Sequence, residues 1–282
     1  MTSLLATAVR FLILTQWLTQ WAMAGQAGRS NPCKLDMADN AFDNQYEGCI
    51  ELMDQKAPQL LKQELEVNKK FKEEWEQAQT RWKEIKSHID SSKLLSDFQG
   101  TALVAYTGEI ATEFNKAVRE FHQHPENFQF KAFHYYLTRA LQLLRTNECR
   151  TVYRGITIKC QPSGGKVRFG QFASSSMDIN VAKRYIKNGT GTLFTIKTCL
   201  GVPIKAFAFN PEEDEVLIPG YEVFERVTVK NINKTYDEVS LENPQKLTSN
   251  YNCNYSSGMK ESPAFILLLP SVLGLLLPLA GL

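Results

Sequence analysis

Histidine is scarce in this chain, four in 282 residues, and no two of its six cysteines have the C-x-x-C spacing. Soft ligands are too few and too scattered to read as a zinc site. A basic surplus is also missing. Against 30 Asp and Glu stand 32 Lys and Arg, a formal net charge of +2 with no basic stripe, which argues against nucleic acid as a partner. No Gly-x-Gly-x-x-Gly run is present, so a Rossmann-type dinucleotide fold is not indicated. Nor is there an internal repeat, or a low-complexity stretch apart from an apolar C-terminal tail.

The two ends carry targeting signals. Arg10 precedes Phe11-Leu12-Ile13-Leu14, an apolar core of secretory type, and Ala22-Met23-Ala24 is a small-x-small cleavage site. Residues 1–24 are expected to be a signal peptide, with the mature chain starting at Gly25. Residues 264–282 are apolar and uncharged, broken by Pro270 and Pro278. A spanning helix needs about 20 apolar residues and a charged cytoplasmic flank, and no such flank follows here. The small residues Ser256-Ser257-Gly258 and a polar spacer with Lys260 and Glu261 come first. That order matches a glycosylphosphatidylinositol attachment signal, with Ser257 favoured over Ser256 and Gly258 as the anchor residue and 258–282 as the propeptide. The expected location is the extracellular face of the plasma membrane.

One domain, 25–257, remains, mainly helical over 25–148 and mainly β over 149–257. Its cysteines, Cys33, Cys49, Cys149, Cys160, Cys199 and Cys253, suit disulfides in an oxidising exterior, and their spacing leaves every full pairing open. Sequons at Asn188, Asn233 and Asn254 fit a glycosylated surface.

Apolar residues recur with helical period over 60–89, from Leu61 through Trp75 and Trp82 to Ile89, over 110–122, and over 130–145. Beyond Cys149 the pattern turns to strands: 151–156, 167–176, 192–200, 203–209, 215–218 and 221–229, with a short helix over 181–186. Helices first and strands later predict an α+β domain, its N-terminal helices packed on a mostly antiparallel sheet.

Three features of the β half carry chemistry. Arg154 lies inside an apolar strand, where a guanidinium suits a phosphate or a carboxylate, and Gly155 would let a ligand approach the backbone. A core ion pair explains Arg154 equally well. Ser174 and Ser176 alternate at a strand end and would share a face, although a Ser-rich turn into the next helix also fits. Glu212-Glu213-Asp214-Glu215 runs into Val216-Leu217-Ile218. Taken alone, such a run is most often a solvated loop. In an extended segment, though, Glu213 and Glu215 point to one face and aim two carboxylates at one spot.

Arg, Ser and Glu-x-Glu in that order, with the runs Ala41–Cys49, Gly100–Gly108, Lys131–Leu144, VYRG, VRFGQFASSS, TLFTIKTCLG, EDEVLIPGYEV and SNYNCNYSS, make the chain resemble the vertebrate arginine-specific mono-ADP-ribosyltransferase ectoenzymes, and among them the T-cell branch. The resemblance covers nearly the whole chain. It implies an ADP-ribosyltransferase-type fold and transfer of ADP-ribose from NAD to arginine side chains of surface or extracellular proteins, with NAD hydrolysis as a side reaction. Its signature falls on Arg154, Ser174, Glu213 and Glu215. It implies further NAD contacts at Tyr106 and Gln171 beside Arg154, Gly155 and Ser174, and disulfides Cys49–Cys253 and Cys149–Cys199, with Cys33 and Cys160 unassigned. A serine near the nucleotide in relatives is replaced by Ala208. No cofactor and no metal are implied, since NAD is the substrate. The alternatives are an enzyme that is chiefly an NAD glycohydrolase, or a catalytically silent, lipid-anchored surface glycoprotein.

Overall fold

The structure is a computed structural model that describes residues 33–90, 94–186, 190–232 and 236–253. The predicted signal peptide, the sequon asparagines Asn188, Asn233 and Asn254, the anchor residue Ser257 and the apolar tail all lie outside the described residues.

The helical half is built from α1 (Ile50–Val67), α2 (Lys69–Ile85), α3 (Asp97–Tyr106), α4 (Ile110–Arg119) and α5 (Lys131–Leu144). The single helix expected over 60–89 is two helices, and the first starts at Ile50. Asn68 makes the break. Its backbone is extended at ψ 97°, and its side-chain oxygen accepts from the Phe71 N–H at 2.9 Å, capping α2. From there Phe71, Trp75, Ala78 and Trp82 bury one face of α2 at helical spacing. Helix α3 has no polar stripe, because every residue from Gln99 to Tyr106 is buried, and a Ser96/Gln99 capping box starts it. A Cβ on Gly100 would lie 2.3 Å from the Trp82 ring, so α2 and α3 meet at a distance that requires glycine.

The sheet has eight strands among the described residues: β2 (Arg150–Ile156), β4 (Val167–Arg168), β5 (Ala173–Ser176), β6 (Gly191–Thr198), β7 (Val202–Pro203), β8 (Glu215–Ile218), β9 (Glu222–Ile232) and β10 (Tyr236–Lys246). Their spatial order is β4-β9-β10-β6-β2-β5-β8-β7, and only the β10–β6 pair is parallel. This is the α+β arrangement expected. Two short strands, β1 (Cys33–Leu35) and β3 (Cys160–Pro162), pair in parallel beside it.

The strand expected over 167–176 divides in two. Gly170, at φ +67°, turns the chain between β4 and β5, which pair with different parts of the sheet. The strand expected over 203–209 is instead β7 followed by a 3-10 turn at Lys205–Phe207. Strand β8 is buried on both sides. Leu217 joins the helical core, while Val216 and Ile218 join a second core with Phe194, Phe224 and Leu241.

Disulfides join Cys33 to Cys160, Cys49 to Cys253 and Cys149 to Cys199. The first ties β1 to β3. A buried ion pair, Arg168 to Asp43 at 2.8 Å, joins β4 to the segment before α1. The Asp43 carboxylate also accepts from Ser249, Asn250 and Tyr251, so both ends of the described domain are pinned at one point.

Candidate active site

Strands β2, β5 and β8 are neighbours in the sheet, and the short helix α6 (Ile179–Arg184) follows β5. Arg154, Ser174 and Glu215, expected from the sequence, come from these three strands and line one cleft of about 420 Å3 with Tyr106, Gln171 and Glu213. The register explains how Ser174 and Glu215 meet, while Arg154 reaches them from β2 through its guanidinium. Ser176 stands opposite Glu215 and Ser174 opposite Leu217, so these four side chains share a face of the β5–β8 pair.

Glu215 is buried at 7% exposure. Burial pushes its pKa from an ordinary 4.5 up to about 7; the Glu213 charge adds to the rise, and the Ser174 hydrogen bond and Arg154 oppose it. The Arg154 guanidinium donates to the Ser174 carbonyl at 2.5 Å, which fixes it between β2 and β5. Tyr106 is buried, donates to the Phe172 carbonyl at 3.0 Å and accepts from Asn115 at 2.9 Å. Gln171 accepts from the Arg119 guanidinium at the cleft wall.

One expectation about geometry needs correcting. Glu213 and Glu215 do not lie on one extended segment. Pro211–Glu213 is a 3-10 turn started by Asn210, whose side chain accepts from the Glu212 N–H at 3.3 Å. Asp214 then adopts a left-handed backbone at φ +45°, which aspartate tolerates better than most residues, and the strand begins only at Glu215. The turn nevertheless delivers both carboxylates to the cleft, in unlike environments: Glu215 deep and Glu213 half-exposed at the mouth. Gly155 has a structural reason beside the expected one. A Cβ there would sit 1.9 Å from the Ala182 carbonyl oxygen. The absence of a side chain admits the α6 backbone, although the residue still borders the cleft.

Ser176 takes the turn role. Its hydroxyl donates to the Glu213 carbonyl at 2.7 Å and accepts from the Asp178 N–H at 3.0 Å, holding the carboxylate-bearing turn to β5. Ala208 is buried and is not among the residues that border the cleft. Residues that sequence reading passed over complete the walls. Thr112, Asn115 and Arg119 line one side of α4, and Tyr185, just after α6, donates to a Glu213 carboxylate oxygen at 2.9 Å. The polar i, i+3, i+7 stripe of α4, bordering its Phe114/Val118 core face, was the available signal for the first three.

The cleft gathers an arginine, a serine and one carboxylate from adjoining strands, and a second carboxylate from the turn before β8. An arginine suits a phosphate, and a buried carboxylate suits a developing positive charge. The sequence pattern of the NAD:arginine ADP-ribosyltransferase family matches residues 35–249. The T-cell ecto-ADP-ribosyltransferase 2 of Rattus norvegicus is 51% identical over 269 residues, 94% of this chain and 96% of that one. The T-cell ecto-ADP-ribosyltransferase 1 of Mus musculus is 53% identical over 245 residues, 86% and 84% of the two chains. A mutant of the eukaryotic mono-ADP-ribosyltransferase ART2.2, crystallised in complex with NADH, superposes with a TM-score of 0.76 at 52% identity, covering 80% of this chain and all of that one. The chain therefore belongs to the NAD:arginine ADP-ribosyltransferase family.

Proposed function

We propose that the protein transfers ADP-ribose from NAD to arginine side chains, with hydrolysis of NAD as a side reaction. The observation that carries this reading is the pair of carboxylates in one cleft, one buried beside Arg154 and Ser174, the other at the mouth. NAD is the substrate, and its nicotinamide is already a cationic leaving group. The C1′–N bond breaks heterolytically, nicotinamide leaves with the electron pair, and C1′ becomes an oxocarbenium-like centre. Glu215, ionised, stabilises that charge. Ser174 orients Glu215 and the ribose, and Arg154 holds the diphosphate, with Tyr106 and Gln171 shaping the nucleotide site. Glu213 binds the acceptor guanidinium and takes its proton as nitrogen attacks C1′. A guanidinium keeps its proton in water, so an adjacent carboxylate that takes the proton is what makes it a nucleophile. The sum is NAD plus arginine giving ADP-ribosyl-arginine, nicotinamide and a proton.

Incubation with labelled NAD and agmatine tests this. Adduct formation supports the transferase. Free ADP-ribose alone would leave an NAD glycohydrolase, and unchanged NAD a silent surface protein.

The pH dependence follows from Glu215. Only the ionised form is productive, so kcat/KM for NAD should fall about tenfold per pH unit below about 7 and level off above it. Ionisation has the opposite effect on the fold. The folded protein holds this proton more tightly than the unfolded chain, so Glu215 costs stability as pH rises from 4.5 to about 7. A rate that is flat from pH 5 to 8 would show that no group titrating near 7 controls the step.

Relatives of the family are ectoenzymes by name, which agrees with a location outside the cell. The finer reading is a secreted chain cleaved after Ala24, glycosylated at Asn188, Asn233 and Asn254, and lipid-anchored at Ser257. Its support is the apolar segment 264–282, interrupted by Pro270 and Pro278, behind the small residues Ser256-Ser257-Gly258. A phosphatidylinositol-specific phospholipase should release the protein from intact cells. Retention, when a control anchored protein is released, would favour a spanning segment.

A further inference from the structure

Tyr185 follows α6 at the mouth of the cleft, 48% exposed, with its hydroxyl 2.9 Å from a Glu213 carboxylate oxygen. Its placement is built, not incidental. Helix α6 is capped by the Asp178 side chain at the Asn180 N–H, 2.8 Å, and its Ala182 carbonyl is seated on the bare backbone of Gly155, next to Arg154. The same turn that starts α6 receives the Ser176 hydroxyl, which in turn holds the Glu213 carbonyl. Tyr185 and Glu213 are thus fixed to each other through both side chain and backbone. Glu213 has two carboxylate oxygens, and the structure gives Tyr185 to one of them, Oε1.

We propose that Tyr185 is the positioning residue of the acceptor site, its hydroxyl holding Glu213 and its exposed ring giving a flat face to the incoming guanidinium. This rests on the reading of Glu213 as the acceptor carboxylate. Burial and the Glu213 charge push the phenol up to about 12, so it remains a hydrogen-bond donor at neutral pH. With one oxygen occupied by the phenol, the other is turned to the acceptor. A planar guanidinium stacks on an aromatic face where a tetrahedral ammonium does not, so the pair selects arginine over lysine.

The test compares Tyr185→Phe and Tyr185→Leu with the unaltered protein, using agmatine as acceptor and water alone. Loss of a hydrogen bond to a charged group predicts that Phe lowers kcat/KM for agmatine about tenfold. Loss of the ring as well predicts a further two- to fivefold fall for Leu, appearing in the KM for agmatine. The ratio of transfer to hydrolysis should fall in the same order, with the KM for NAD moving less than twofold. Agmatine kcat/KM within twofold of normal in both variants would overturn the proposal. So would a parallel change in the KM for NAD, which would mark Tyr185 as a support of the nucleotide cleft. If the unaltered protein consumes NAD without modifying agmatine, the transferase reading itself fails and this inference falls with it. If transfer is normal and only the variants are indifferent, the inference alone fails.

Discussion

Glu215→Gln should abolish both ADP-ribosyl transfer and NAD hydrolysis. Both reactions pass through the same oxocarbenium-like centre, and the substitution removes the one negative charge placed deep in the cleft. Loss of one preorganised electrostatic group costs about 2.7–4 kcal/mol, a factor of ~10² to 10³ in rate. The fold should not suffer. Burial already favours the neutral carboxyl, whose pKa stands at about 7, so a neutral amide of the same shape relieves the cost of an ionised group at higher pH. Above pH 7 the variant should melt no lower than the parent while turning over little NAD. Near-normal NAD turnover in a correctly folded variant would refute the assignment. A lowered melting temperature would instead place Glu215 among the groups that hold the sheet together.

The β half of the chain was more legible than the helical half. Arg154 and Glu215 could be picked out because each is a charged residue in or at the end of an apolar strand, a pattern that needs a reason, and Ser174 because its hydroxyl alternates with that of Ser176 at a strand end. Their meeting in one cleft depends on β2, β5 and β8 being neighbours, and strand order is set by crossovers that no local window contains. Helix α3 escaped periodicity because it is buried all round, so it has no polar face for a period to mark. Strand β10 escaped for the opposite reason. Its Asp237, Glu238, Glu242, Asn243 and Pro244 disfavour strands locally, and pairing with both β9 and β6 overrides that preference. The Glu213 turn shows a third limit. Residue spacing correctly brought two carboxylates together, but by the wrong geometry, because a proline at the head of a 3-10 turn and a left-handed aspartate cannot be distinguished by spacing from an extended pair.

Glu213→Gln should separate the two activities. Glu213 stands at the mouth of the cleft, held by Tyr185 through its side chain and by Ser176 through its backbone carbonyl. The amide keeps the size of the side chain and leaves the backbone contact in place, so the turn and Glu215 behind it should remain where they are. What is lost is the charge that binds a guanidinium and the basicity that takes its proton. Transfer to agmatine should fall by the ~10²-fold typical of losing general-base assistance. Hydrolysis should persist, because water needs no guanidinium site and Glu215 still stabilises the ribosyl cation. The two rates are measured on one preparation, with and without agmatine at a fixed NAD concentration. If both fall together, Glu213 serves NAD binding or the fold. If neither falls, the unlike environments of the two carboxylates have no chemical consequence, and the choice of transferase over glycohydrolase loses its physical basis. The left-handed Asp214 between them supplies the control. Asp214→Asn preserves a residue type that tolerates that backbone and removes only a charge paired with Lys205 at 3.2 Å, so it should leave the ratio of transfer to hydrolysis near that of the parent.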